Sequence, residues 1–306
     1  MSRQYKEKLS GFKEWKQKLP DQDVLLYPKN ISHQLSIDET SLSNGELYTI
    51  LTSKKGKGRK GTLVAMIKGT KSDEVIRALQ NIPKHLRNKV QEITLDMAST
   101  MINICKVAFP KATQVTDRFH VQKLAYEAVQ DLRVKHRWEA RDFENDVIDQ
   151  ALKSGKTYRP EILENGDTVR QLLARSRYSL FKHHTKWTER QALRTDILFK
   201  RYPDIKVAYE LSIELFNIYQ NTKVKGVAFT KLARWYEQIE QSGLKTFGTV
   251  QRTIHHHYQS ILNYFDCRST NASAESFNSK IKAFRLQLRG VRDKHFFLFR
   301  LSKIFA

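Results

Sequence analysis

The chain has 306 residues, 40% of them apolar, and its 54 Lys and Arg against 32 Asp and Glu leave a net charge of +22 and a pI near 9.9. That length allows one large domain or two ordinary ones with ample core, and an excess of this size and sign points to a polyanion, nucleic acid first. Three classes are disfavoured: no run of 18 apolar residues could cross a membrane, the basic start MSRQYKEKLSGFKEWKQK lacks the apolar stretch of a signal peptide, and Cys105 and Cys267, in no CxxC pair, make neither a disulfide framework nor a zinc site. The expected compartment is the cytoplasm.

Residues 1–29 form a basic segment with Phe12, Trp15 and Leu19 at helical spacing, closed by Pro20 and Pro28. Residues 31–40 predict a strand, with Leu35 and Ile37 on one face and Ser36 and Asp38 on the other. Residues 47–52 (LYTILT) and 62–68 (TLVAMIK) predict two more, and the Gly-broken connector between them carries Lys54, Lys55, Lys57, Arg59 and Lys60. Three strands joined by tight turns make an antiparallel meander. A helix follows over 72–86, with Ser72 as N-cap and Val75, Ile76 and Leu79 inward.

Residues 92–95 and 113–116 are short β-prone runs, each ending on an acid, Asp96 and Asp117. Between them, 99–109 is an apolar helical pattern stopped by Pro110. Such a connection is a crossover helix, so the two strands are parallel. Ligands of parallel sheets sit beyond the carboxyl ends of the strands, where both acids fall.

From 121 to 267 the pattern predicts helices and no strand: 121–147, 170–201, 204–219, 227–241 and 249–265. Trp138, Trp187 and Trp235 fall at helical spacing and read as core rather than as stacking platforms for bases. The run His255, His256 and His257 has no partner set for a metal and reads as a polar helix end. Residues 273–288 predict a helix whose apolar stripe is Ala274, Phe277, Ile281, Phe284 and Leu288. Glu275 lies off that stripe, among Asn271, Asn278, Ser279 and Lys282. Gly290 ends the helix, and 293–305 is a short phenylalanine-rich one.

This order of elements is that of a ribonuclease-H-like domain, α/β in class, with a mixed sheet and helices and a large all-helical insertion. In that order the first and fourth predicted strands are neighbours, so Asp38 and Asp96 meet. Taken singly, Asp38 reads as a turn former and Glu275 as a solvated helix acid; Glu39, next to Asp38, is sent to the opposite face by strand alternation. The three acids carry weight jointly. Carboxylates forced together need a cation between them. Magnesium suits such a site, and a third carboxylate lets a second ion bind about 3.5–4 Å from the first.

The phrases LSIDETS, ITLDMAS, TDRFHVQKL and NASAESFNSKIKAFRLQLRGVRD resemble the DDE transposases of bacterial insertion sequences, specifically the ISL group, over about residues 30–135 and 265–305. The resemblance implies a ribonuclease-H-like catalytic domain formed by 30–120 plus 268–306, with an all-helical insertion at 121–267 and a basic helical segment at 1–29. It implies Asp38, Asp96 and Glu275 as the metal-binding triad, holding two Mg2+ ions, with Mn2+ able to substitute. Asp117 and His120 resemble a C/D-x-x-H motif: they either stand beside the metal site or merely begin the next helix, and Asp117 is the alternate to Asp96. The implied reaction is metal-dependent DNA cleavage and strand transfer at the ends of an insertion sequence. The alternatives are a nuclease without strand transfer and a catalytically idle DNA-binding relic.

Duplex DNA is the expected partner, held by a homodimer. Lys280, Lys282, Arg285, Arg289 and Arg292 beside Glu275, and Lys54, Lys55, Lys57, Arg59 and Lys60 in the connector, are the candidate phosphate contacts. One departure from the family stands out: 29 residues precede the first predicted strand, without the zinc-binding segment and helix-turn-helix common in its members. Recognition of the transposon ends is therefore expected from a separate helix-turn-helix protein.

Overall fold

In a computed structural model, which describes residues 4–15, 24–42, 45–288, 290–291 and 293–306, the chain divides into two compact units, Met1–Asp117 with Gln259–Ala306, and Arg118–Tyr258. No described helix is long and apolar enough to cross a membrane.

The first unit is built on a six-stranded mixed sheet. Its strands are β1 (Val24–Leu26), β2 (Gln34–Ser41), β3 (Leu47–Ser53), β4 (Leu63–Lys68), β5 (Glu92–Leu95) and β6 (Thr113–Thr116), in the order β1-β4-β3-β2-β5-β6. β1 to β4 pair antiparallel, whereas β5 runs parallel to both β2 and β6. The sequence reading missed β1: three residues are too few to show a period, and the strand exists because β4 offers it a ladder at Val24↔Ile67. The first segment is also not the expected amphipathic helix. Tyr5–Leu9 is a single π-helical turn, and Phe12 docks edge-on against Phe296 and Phe299, with ring centroids 5.2 and 5.3 Å away. Leu19 and Pro20 lie outside the described residues.

β2 alternates as its sequence requires. Leu35 and Ile37 join Leu51, Ala65, Ile67, Ile93 and Leu95 in one cluster, beneath α1 (Ser72–Gln80) and α3 (Ser99–Ala108). The predicted helix 72–86 stops early, since Pro83 offers no N–H and restricts Ile82 before it; α2 (Lys84–Arg87) is a separate turn, and the N-cap of α1 is Lys71 rather than Ser72. The other face carries Tyr48, Ile50, Leu63 and Met66. These pack on Phe277 and Ile281 of α11 (Ala272–Gln287) and on Phe297, Leu298, Leu301 and Phe305 of α12 (Lys294–Phe305). Asp38 pairs with Ile50 across the β2–β3 ladder, so its side chain belongs to this second face.

The second unit comprises α4 (Arg118–Lys153), α5 (Val169–Arg175), α6 (Glu189–Arg201), α7 (Pro203–Asn221), α8 (Lys225–Ser242) and α9 (Lys245–His256). The predicted helix 170–201 is broken. Thr168 with Gln171 and Thr188 with Gln191 form capping boxes, so α5 and α6 each start afresh. Likewise the predicted helix 249–265 divides at His257, where α9 ends before α10 (Tyr258–Cys267) begins. Trp235 is fully buried and donates Nε1–H to the Leu211 carbonyl at 2.8 Å, but Trp138 is half exposed beneath the Arg141 guanidinium, 4.0 Å from its ring. The buried carboxylate of Asp167 accepts from Arg175 and, at 2.8 Å, from Arg194. These two guanidiniums and their hydrogen bonds outweigh the effect of burial and hold Asp167 below the usual carboxylate range.

Candidate metal centre

Strand register places the acids. β2 and β5 pair in parallel at Ser36↔Thr94, and two residues further along each strand stand Asp38 and Asp96. β5 and β6 pair at Leu95↔Thr116; the Asp117 N–H donates to the Leu95 carbonyl at 3.0 Å, so this ladder reaches Asp96 and Asp117. Adjacent strands lie about 4.8 Å apart. Asp38, Asp96 and Asp117 therefore form a row across β2, β5 and β6, just past the carboxyl ends of β5 and β6 and inside β2.

Each acid is oriented by an N–H donor. Asp38 Oδ1 accepts from the Glu39 N–H at 2.8 Å, and its Oδ2 accepts from Asn278 Nδ2 at 2.7 Å. Asp96 Oδ1 accepts from the Ala98 N–H at 2.9 Å, in a turn that opens α3. Asp117, 2% exposed, accepts from the Asn271 N–H at 3.2 Å. Helix α11 supplies the remaining acid. Glu275 lies in its first turn, and a carboxylate oxygen of Glu275 lies within 4.8 Å of one of Asp117. His120 stands three residues after Asp117, in the first turn of α4.

The crowding shows in Glu39. Burial raises its carboxyl above the usual range, and the negative charges of Asp96 and Asp38 raise it further. Alternation sends Glu39 to the other side of the strand, yet both charges reach it. A site with so many carboxylate oxygens fits a hard divalent cation of the Mg2+ or Mn2+ type. The donor set is all oxygen at the row itself, and the described thiols do not enter it: Cys105 is buried among the side chains under α3, where burial and then the charge of Asp96 push its thiol well up.

The basic residues separate into three groups. Lys55, Lys57, Arg59 and Lys60 are exposed in the β3–β4 connector, as is Lys282 on α11, while Arg285 is half-buried. Lys54 is turned to internal partners, and Lys280, exposed on α11, to a carbonyl of the connector. Lys54 Nζ pairs with Glu92 Oε1 at 3.2 Å and donates to the hydroxyls of Thr94 and Ser269, leaving its side chain 14% exposed. Lys280 Nζ donates to the Gly58 carbonyl at 2.7 Å. Gly58 has φ +69°, the left-handed region that favours glycine. Arg289 and Arg292 lie outside the described residues. Sequence reasoning missed the roles of Lys54 and Asn278; the signal for Asn278 was its place one turn after Glu275, on the same flank of the helix.

A family model described as transposase, for the ISL3 group of DDE transposases, matches residues 35–301. The transposase for insertion sequence element IS1001 of Bordetella parapertussis is 25% identical over 276 residues, which cover 89% of this chain and 60% of that protein. This chain thus spans about 60% of the length of that curated relative. No solved structure matches it. With the family match running from β2 into α12, the chain belongs to the ISL3 family of DDE transposases.

Proposed function

We propose that this chain performs the chemistry of insertion-sequence transposition, on a ribonuclease-H-like fold, with Asp38, Asp96 and Glu275 as metal ligands. The observation that carries the reading is the row of Asp38, Asp96 and Asp117 across β2, β5 and β6, with α11 bringing Glu275 within 4.8 Å of Asp117. Two bound Mg2+ or Mn2+ ions would supply Lewis acidity toward both the attacking and the leaving oxygen of a phosphodiester. The acids would hold the ions, and the N–H groups of Glu39, Ala98 and Asn271 fix the orientation of the Asp38, Asp96 and Asp117 carboxylates. Exposed cations, Lys55, Lys57, Arg59 and Lys60 in the connector and Lys282 on α11, hold the DNA backbone. In the first step water attacks a phosphodiester at the element's end, breaking the P–O3′ bond and freeing a 3′-hydroxyl. In the second, that hydroxyl attacks a target phosphodiester, and one P–O bond forms as another breaks.

Asp117 belongs to the reading as the alternate second ligand, a choice supported by its carboxylate oxygen within 4.8 Å of one of Glu275. His120, three residues on, is proposed to act beside it. A homodimer on DNA, and a separate helix-turn-helix protein that selects the ends, complete the proposal.

The test uses duplexes carrying an element end, with Mn2+ and the purified chain. Asp38→Asn, Asp96→Asn and Glu275→Gln are each expected to lower cleavage by more than about 100-fold, the upper end for loss of an outer-shell partner, with the fold retained. Full cleavage by Asp96→Asn with loss in Asp117→Asn transfers the second ligand to Asp117. Cleaved ends that never join a second duplex would favour a nuclease over a transposase.

A further inference from the structure

We propose that Asn278 is a positioning residue for the metal centre: its amide holds the Asp38 carboxylate in the orientation that meets the ion. The inference rests on the metal-ligand role proposed for Asp38. Asn278 lies on α11 one turn beyond Glu275 and is 8% exposed. Its Nδ2 donates to Asp38 Oδ2 at 2.7 Å and to the Glu39 carbonyl at 3.3 Å. Both partners only accept, so the nitrogen must face them and the amide has one workable orientation.

The contact fixes more than a distance. Asp38 Oδ1 already takes the Glu39 N–H, so each oxygen of this carboxylate is held by a separate donor. The two donors come from different elements, β2 and α11, and together they set the plane of the carboxylate. One helix then acts twice, presenting Glu275 and aligning Asp38.

Packing alone does not account for an asparagine here. Phe277 and Ile281, beside it on α11, already fasten the helix to the sheet. Asn278 Oδ1 is buried without a hydrogen-bond partner among the described residues. An apolar side chain of the same size would carry no such cost. What the asparagine adds is the hydrogen bond to a carboxylate, and outer-shell partners of this kind govern how well a ligand meets its metal.

The test compares the full-length wild type with Asn278→Leu, Asn278→Gln and Asp38→Asn. The readouts are Mn2+ affinity by calorimetry, the rise in melting temperature on adding Mn2+, and DNA cleavage as a function of Mn2+ concentration. Asn278→Leu keeps the number of side-chain heavy atoms and loses the donor. It is expected to bind Mn2+ about 10–100-fold more weakly, and to move the cleavage curve to higher Mn2+ by the same factor. Asn278→Gln, which restores a donor at longer reach, is expected to recover part of the affinity. Should Asn278→Leu fail to fold, Asn278→Ala makes the same comparison. A folded donor-free variant with unchanged Mn2+ affinity and an unshifted curve overturns the inference while Asp38→Asn still loses the metal. If Asp38→Asn itself binds Mn2+ like the wild type, the metal role of Asp38 fails, and the inference falls with it.

Discussion

Leu35 and Ser36 are neighbours in β2 and both are fully buried, yet they face different surroundings. On the side of Leu35, from β4 across to β5, the sheet presents Ile67, Ala65, Leu51, Ile37, Ile93 and Leu95 to α1 and α3. On the side of Ser36 the sheet is apolar over β1, β3 and β4, under α11 and α12. Across β2 and β5 that face instead carries Asp38, Glu92, Thr94 and Asp96, with Lys54 reaching in from the connector. An apolar face needs only the right pattern and volume. A buried polar face must be partnered group by group, and proteins bear that cost where there is chemistry to do.

The largest effect should come from the apolar face. Phe109→Ala empties a 1%-exposed site beneath α3 and is expected to cost about 3–5 kcal/mol in urea unfolding. Mn2+ affinity per folded molecule should be unchanged. A shift in Mn2+ affinity would break the division between the two faces.

Lys54→Met is expected to cost about 3 kcal/mol, the low end for breaking a buried ion pair, because it strands Glu92 at 9% side-chain exposure. Lys54→Met with Glu92→Leu should recover most of that loss. A double-mutant cycle measures the coupling, and strictly additive losses would mean that the pair is not a unit.

The smallest effect is in pH. Hydrogen bonds from Ser269, Cys267 and Lys54, with the charge of Lys54, outweigh the effect of burial and hold Glu92 below the usual carboxylate range. Its folded value lies below its unfolded one, so its stability is fully present above the unfolded pKa, near 4.3. That share is lost as pH falls through the lower folded value. Urea midpoints from pH 6 to 3 should fall less steeply in Glu92→Gln than in the wild type; identical slopes would remove Glu92 from the acid response.

How far the sequence could be read follows the same division. The alternation in LSID and the apolar runs in LYTILT and TLVAMIK needed only a period, and β2, β3 and β4 lie there. β1 was too short to have one. In 170–201 periodicity overran the capping box of Thr188 and Gln191, because the helical pattern does not stop where a Thr and a Gln three residues on restart the backbone. On the polar face, Asp96 and Asp117 were legible as strand ends, but their partners were not. Lys54 looked like one of five loop cations, and only folding reveals Glu92, 38 residues away, as its counter-ion. Asn278 meets Asp38 across 240 residues, a pairing that no local pattern encodes.

That separation has a consequence in time. Asn271 follows the Asp117 it binds by 154 residues, so at roughly 5–20 residues per second the ribosome adds α11 about 8–30 s after β6. Through that interval the nascent chain carries its row of carboxylates with neither Glu275 nor the two asparagine contacts. A product cut short at any point in the helical unit has the acids and lacks the helix that serves them. Closing so long a loop adds little entropy cost, since each doubling of length costs only about 0.6 kcal/mol. The order of the elements thus keeps the row of acids without Glu275 and the two asparagine contacts until α11 has been made.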